Sequence, residues 1–101
     1  MDYLKLGREI VEGRHWRVAA RFKLFVSLLF MAAEEECCVA GVQIVRGQVL
    51  CSLATLSART FLTVKQVRNA LAALRKAGVI ELRTTHRYTI VSICNYDSYM
   101  I

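Results

Sequence analysis

The sequence has no proline and only five glycines among its 101 residues, so few positions break a helix or force a turn. Its longest apolar stretch, Leu24 to Ala33, is ten residues long and contains a serine. A helix that crosses a bilayer needs about 20 residues. No charged and then apolar leader with a small-residue cleavage site begins the chain. We therefore expect a protein without a membrane span, located in the cytoplasm.

Residues that carry metal binding and catalysis are scarce and poorly spaced. None of the four cysteines has C-x-x-C spacing, and there are only two histidines. The chain has no Gly-rich phosphate loop, no G-x-S-x-G and no H-E-x-x-H. We predict that the protein is not an enzyme and uses no metal, no cofactor and no small-molecule substrate. Cys51 and Cys94 are predicted to be small core hydrophobes.

Acidic residues are rare in the second half of the chain. Residues 1–50 hold seven Lys or Arg and six Asp or Glu, whereas residues 51–101 hold seven and two. The net charge is therefore +1 in the first half and +5 in the second, on a chain that is 55% hydrophobic. A basic half is typical of a polyanion binder. It is equally typical of a solvated surface without a partner, and charge alone leaves both open.

A long apolar pattern from Ala19 to about Glu34 predicts a central helix. Six apolar residues recur at helical spacing on one face. They are Phe22, Phe25, Val26, Leu29, Phe30 and Ala33, and a second apolar edge is formed by Leu24, Leu28 and Met31. A helix this apolar is either buried centrally or shared with a partner. We predict a homodimer or higher homo-oligomer, with Phe22, Phe25 and Leu29 as dimer contacts.

The segments on either side of this helix are predicted more loosely. The stretch Asp2 to Glu12 is weakly helical, and Tyr3 and Trp16 are predicted to anchor it. Glu35 to Gly41 is predicted to be a loop. Val42 to Leu50 is β-branched and is predicted to be one strand or extended arm, with Gly47 marking a bulge or a close backbone approach.

Two helices separated by a tight turn are predicted from Ser52 to Gly78. Ser52 and Thr63 are candidate N-caps, the first helix ends near Thr60, and Phe61-Leu62 form the turn. The second helix runs from Val64 to Ala77, and Gly78 ends it. Its apolar residues at helical spacing are Val64, Val67, Ala70, Leu71 and Leu74.

A hairpin is predicted next, because Val79 to Thr84 and Tyr88 to Cys94 are β-rich and Thr85-His86-Arg87 separates them. Two helices with a tight turn, followed by a hairpin, predict a winged helix-turn-helix. The fold class is thus α+β, mainly helical, in one domain. Residues 1–18 form a helical extension, residues 19–95 the winged-helix body and residues 96–101 a tail.

Polar residues of the second helix lie opposite its apolar row, which suggests contacts with duplex DNA. The N-terminal turns of a docked helix face base edges, so Lys65, Gln66 and Asn69 are the predicted base readers. The other predicted DNA contacts, mostly to phosphates, are Thr63, Arg68, Arg75, Lys76, Arg83, His86 and Arg87. The same residues are also typical of an ordinary solvated surface, and the hairpin could lie against a partner subunit instead.

Several stretches together carry a family resemblance. They are Tyr3-Leu4-Lys5-Leu6, Lys23 to Leu29, Arg46 to Leu50 with Ser52, Leu62 to Leu71, Leu74 to Ile80, and Thr89 to Tyr99. From about Tyr3 to Tyr99 the chain resembles the N-terminal winged-helix domain of phage and prophage replication proteins of the replisome-organiser type, related to DnaD-like primosomal proteins. The Arg46-Gly47-Gln48 and Asn95-Tyr96-Asp97-Ser98-Tyr99 stretches favour this group over GntR-type and other winged transcription regulators. At the helix-turn-helix turn, where the family has glycine, this chain has Phe61.

The resemblance implies duplex DNA binding at an origin-like site, often as a dimer or higher oligomer, and no catalysis. It also implies a helicase or helicase loader as a partner, through a C-terminal region that this sequence does not include. Two other functions remain open. One is a transcription regulator on the same fold, and the other is a protein-interaction module that does not bind DNA.

Overall fold

A computed structural model describes residues 3–13 and 16–100. In these ranges the chain forms three α-helices: α1 Ala19–Met31, α2 Leu53–Thr60 and α3 Val64–Lys76. It also forms five strands: β1 Cys37–Val39, β2 Val42–Ile44, β3 Gln48–Cys51, β4 Ile80–Thr84 and β5 Thr89–Ile93. Short 3₁₀ helices lie at Arg8–Glu12 and Tyr96–Tyr99. The predicted α+β class is confirmed. No helix in these ranges is both long and apolar enough to cross a membrane.

The strands form two separate antiparallel sheets. In the larger sheet the order is β3-β5-β4, so that β5 lies in the centre, with Val91 opposite Val49 on one side and Leu82 on the other. β1 and β2 form a two-stranded hairpin. Because β3 precedes α2 and β4 follows α3, the chain enters the α2–α3 pair from this sheet and returns to the same sheet after it.

The core lies between α1, α3 and the larger sheet, and the buried side of α1 combines Phe25 and Leu29 of the predicted row with Leu24 and Leu28 of the second apolar edge. Leu24 and Leu28 are completely buried, whereas Phe30 is 56% exposed. Phe25 and Leu29 are 6% and 2% exposed and belong to the same core. The prediction that Phe25 and Leu29 contact a second subunit is therefore wrong, because the chain's own packing already covers them.

The first segment, predicted to be weakly helical, is held at its two ends and is helical over only part of its length. Only Arg8–Glu12 is helical, as 3₁₀. Leu4 bridges to Met100, and the Lys5 N–H donates to the Tyr99 carbonyl at 2.7 Å. Trp16 packs edge-on against Phe22, with ring centroids 4.7 Å apart, as an anchor should. Tyr3 is 71% exposed, so its predicted anchoring role is wrong. Asp2, His15 and Ile101, which belong to predicted segments, lie outside the described residues.

The stretch predicted to be a loop contains β1, and the single predicted strand after it is two strands. Ala40 and Gly41 both have positive φ, 50° and 80°, which is the geometry of a tight hairpin turn. This turn folds β2 back onto β1. The chain then bends at Gly47, whose φ is +85° and whose N–H donates to the Ala33 carbonyl at 2.8 Å. An ideal Cβ on Gly47 would lie 3.0 Å from the Tyr96 Cβ, so the predicted close backbone approach is confirmed.

Replacing Gly47 with alanine should destabilise the fold more than replacing Gly41 with alanine. Both glycines have left-handed backbone, which costs a residue with a Cβ about 1–2 kcal/mol. Only Gly47 adds a contact, because nothing lies within 4 Å of a Cβ built on Gly41. Urea unfolding of the two variants checks this difference. Equal losses of unfolding free energy would show that Tyr96 moves away from the added methyl group without loss of stability.

Local signals correctly predicted the start and end of α3. The Thr63 hydroxyl accepts from the Gln66 N–H, and the Gln66 side chain accepts from the Thr63 N–H at 2.8 Å, which completes a capping box. At the other end Gly78 has φ +77°. Its N–H donates to Arg75, and the Val79 N–H donates to Leu74, as in a Schellman motif. Ser52 caps α2 by accepting from the Thr55 N–H at 3.1 Å.

Removing the α3 cap should lower stability measurably without disturbing the core. For Thr63→Ala we expect a loss of about 1 kcal/mol in unfolding free energy, because the Gln66 N–H loses the hydroxyl that accepts its hydrogen bond. Thr63→Ser retains the hydroxyl and should stay close to the parent. Thermal unfolding followed by circular dichroism measures both. If the alanine and serine variants unfold alike, the hydroxyl contributes nothing.

Candidate nucleic-acid interface

One side of α3 is built into the core and the other is free. Val67, Ala70, Leu71 and Leu74 are buried. The exposed residues on the opposite side and its flanks include Lys65, Arg68, Asn69, Arg75 and Lys76. Val64, predicted as part of the buried row, is 40% exposed, since it is the first helical residue and has no preceding turn to cover it. The predicted polar face of α3 is therefore present as a surface.

The side chain of Gln66 is not free to read a base, as the sequence prediction required, because it is already hydrogen-bonded within the protein. Reading adenine needs both the amide oxygen and the amide nitrogen of one side chain. The Gln66 Oε1 already accepts from the Thr63 backbone N–H, and the Thr63 hydroxyl is used in return. In this structure Thr63 and Gln66 fix the leading end of α3. Lys65 and Asn69 remain as the unencumbered candidates for base edges.

An open groove of about 560 Å³ separates α3 from the β4–β5 hairpin. Its lining residues are Leu53, Arg68, Leu71, Ala72, Arg75, Lys76, Leu82, Thr84 and Thr89. Three of them are cations and all three are on α3, while none is acidic. The spacing of Arg68 and Arg75 puts them two turns apart on the same flank, facing the hairpin. The groove thus has one strongly basic wall, suited to an anionic chain.

The tip of the hairpin is shaped by Thr85. Its hydroxyl accepts from the Arg87 and Tyr88 N–H groups, both at 3.2 Å, and its own N–H donates to the Tyr88 carbonyl at 2.8 Å. These bonds hold the turn through the backbone and leave the side chains of His86 and Arg87 exposed. The prediction of a basic residue pair at the tip is consistent with this placement.

Arg83 lies apart from the other predicted contacts on the hairpin. Side chains alternate between faces along a strand, and Leu82 and Thr84 line the groove beside α3. Arg83, between them, is exposed and belongs to the opposite face of the sheet. The structure therefore groups Arg68, Arg75 and Lys76 around one groove, and it does not bring Arg83 to that groove.

Arg46 is a charged residue whose partners the sequence did not reveal. Its Nε donates to Asp97 Oδ1 at 2.7 Å, and its guanidinium lies 5.0 Å from the centre of the Tyr96 ring. Another guanidinium nitrogen donates to the Glu34 carbonyl. The hydrogen bond to Asp97 raises the pKa of Arg46. This clasp joins the two stretches that set the family resemblance apart, and it gives both of them a structural role.

The cysteines do not form a site in the described residues. Cys51 is buried in the core, and burial raises the pKa of its thiol to about 11, as suits a small core hydrophobe. Cys94 is half-buried, and Cys37 and Cys38 are exposed on β1. Among residues 3–13 and 16–100, no group of three His, Cys, Asp or Glu side chains is placed to hold a metal ion.

No protein-family model, no curated protein and no solved structure matches this chain.

Proposed function

We propose that this domain binds duplex DNA as a winged helix-turn-helix, with α2 and α3 as the helix pair and β4–β5 as the wing. Support comes from the element order and from the β3-β5-β4 sheet, whose hairpin immediately follows α3. The observation that carries the proposal is the groove between α3 and the hairpin. Three cations line it, no acidic side chain does, and the exposed face of α3 adjoins it.

Binding in this proposal is non-covalent and involves three sets of residues. Lys65 and Asn69 face base edges in the major groove, where Lys bonds guanine and Asn bonds adenine. Arg68, Arg75 and Lys76 contact phosphates and fix the register of the helix. His86 and Arg87 extend the contact to the flanking backbone or minor groove. Neutralised phosphates release counterions, so affinity falls with salt.

The biological role is proposed from the family resemblance. It is the initiation or organisation of phage-type DNA replication, on a dimer or higher oligomer, with a helicase or helicase loader as a further partner. A transcription regulator on the same fold is the alternative. A regulator should prefer one palindromic operator, whereas a replication organiser should bind repeated sites or duplex with low sequence preference.

A protein-interaction module is a second candidate function, favoured by a separate observation. Phe30 and Val39 are 56% and 41% exposed and line an open groove between α1, the β1–β2 hairpin and α2. This groove lies on elements other than the α3 face. Sedimentation of the protein at high micromolar concentration measures whether it joins subunits. A mass of 11.5 kDa there would remove the oligomer from the proposal.

The DNA proposal is tested by titrating the protein against a labelled random duplex and the matching single strand. We expect the duplex to bind more tightly. If about six phosphates are contacted, affinity should fall roughly a thousandfold between about 50 and 200 mM salt. Duplex affinity weaker than about 100 μM at the lower salt concentration, or equal affinity for the single strand, would overturn the proposal.

A further inference from the structure

Phe61 occupies an unusual position in the turn between α2 and α3. Its side chain is 90% exposed and its φ is +60°, in the left-handed region. Residues with a Cβ are uncommon there, and for a bulky side chain the conformation is a true outlier. Glycine would remove the strain, and a polar residue would remove the exposed apolar surface. The left-handed backbone and the exposed apolar surface both count against phenylalanine at this position.

The turn is held by groups other than the Phe61 ring. The Ser57 hydroxyl donates to the Leu62 carbonyl, and the Leu62 N–H donates to the Thr60 hydroxyl at 3.3 Å. Thr60 is completely buried and anchors this network in the domain. The backbone that carries Phe61 is thus fixed from α2, and the ring is presented to solvent on a rigid base.

One lysine lies over this exposed ring, and a second is exposed four residues further along the chain. The Lys23 ammonium of α1 lies 5.6 Å from the ring centre, and Lys65 is exposed in the first turn of α3. Val64, 40% exposed, adds apolar surface three residues further along the chain. A flat apolar ring with an ammonium group over it matches a ligand that combines flat apolar rings with anions. Nucleic acid is such a ligand, because each base has an apolar face and each linkage has a phosphate.

We propose that Phe61 stacks on a base of bound DNA as a wedge at the leading end of α3. This inference rests on the proposed duplex binding and extends it to a distorted duplex. The lysines hold the flanking phosphates while the ring replaces part of the stacking that a base loses when its step opens. Unstacking is easiest where a pair is already mismatched. The wedge therefore makes this domain favour duplex DNA that carries a weakened base pair.

The test compares Phe61→Gly and Phe61→Tyr on a fully paired duplex and on the same duplex with one mismatch. Phe61→Gly relieves the left-handed backbone, so its melting temperature should equal or exceed the parent's. Its affinity for DNA should nevertheless fall about tenfold, since one stacked base is lost. The parent and Phe61→Tyr should prefer the mismatched duplex severalfold, and Phe61→Gly should not. Tyr3→Ala, which removes another exposed ring from a residue that lines neither groove, is the matched control and should bind like the parent.

The outcomes separate this inference from the proposal beneath it. If Phe61→Gly binds both duplexes like the parent, the wedge is overturned while duplex binding stands. A parent without mismatch preference, or a preference that survives in Phe61→Gly, also overturns the wedge. A change of mass in sedimentation caused by Phe61→Gly would place the ring against another protein chain and overturn stacking. Failure of the parent to bind any duplex overturns the proposed function itself.

Discussion

Replacing Lys65 and Arg68 together with alanine is expected to weaken duplex binding by well over tenfold while the domain stays folded. Both side chains are exposed, on the outer face and the groove flank of α3. Lys65 is the leading candidate for a base contact and Arg68 for a phosphate contact. The loss therefore combines a specific and an electrostatic part.

Salt dependence identifies the electrostatic part of that loss. Each phosphate contact contributes about 0.9 to the slope of log affinity against log salt, so the double variant should have a slope smaller by one to two units. Arg8→Ala with Arg17→Ala removes the same charge from exposed positions in the first segment and is the matched control. If this control weakens binding as much as the α3 variant does, general charge and not the α3 face attracts DNA.

Replacing Leu28 with alanine is expected to cause a large loss of stability. Leu28 is completely buried in the core that α1 and α3 share. A buried leucine shortened to alanine typically costs about 2–5 kcal/mol, through lost burial and the cavity that remains. In a domain of this size the melting temperature should fall by on the order of 15 °C.

Phe30→Ala is the control for this prediction, on the same helix and with a larger change in side-chain volume. Phe30 is 56% exposed, so we expect a change of less than about 1 kcal/mol. The helical pattern in the sequence places Phe30 in the apolar row, which would make its replacement costly as well. Urea unfolding of both variants distinguishes the two. A larger effect at Phe30 would place α1 with its aromatic row inward.

The features that the sequence predicted well are those with a local chemical cause. Ser52 and Thr63 cap their helices, and Gly78 takes the left-handed backbone that ends α3. Each signal lies within a few residues of the structure it determines. The turn at Phe61 is the instructive case. Its left-handed φ is what glycine would adopt, so the turn geometry survives a residue that disfavours it.

The features that the sequence could not predict are of two kinds. Some depend on contacts between residues far apart in the chain, and others depend on which of several similar apolar residues of one helix face the core. α1 has apolar residues nearly all round, so spacing alone could not choose between Leu28 and Phe30. Arg46 and Asp97 are 51 residues apart, and no local pattern joins them. Ala40 in a left-handed turn has no sequence signature, which is why β1 was missed.

The role of Gln66 could have been found from the sequence. Thr63 followed three residues later by Gln66 is the capping-box pattern, which occupies the amide oxygen that base reading would need. The candidate contact residues at the start of α3 therefore fall into two groups with different roles. Thr63 and Gln66 cap the helix, whereas Lys65 and Asn69 are exposed on its outer face.

The bridge between Leu4 and Met100 makes the described chain nearly a closed ring. Leu4 and Met100 are neighbours in space, so a short peptide could join the two ends of this domain without distorting the fold. The Ala40-Gly41 turn, exposed at the tip of its hairpin, offers a natural place to cut such a ring. The fold thus depends on which segments pack together and not on the order in which the chain visits them. It should therefore tolerate a circular permutation that begins at Gly41.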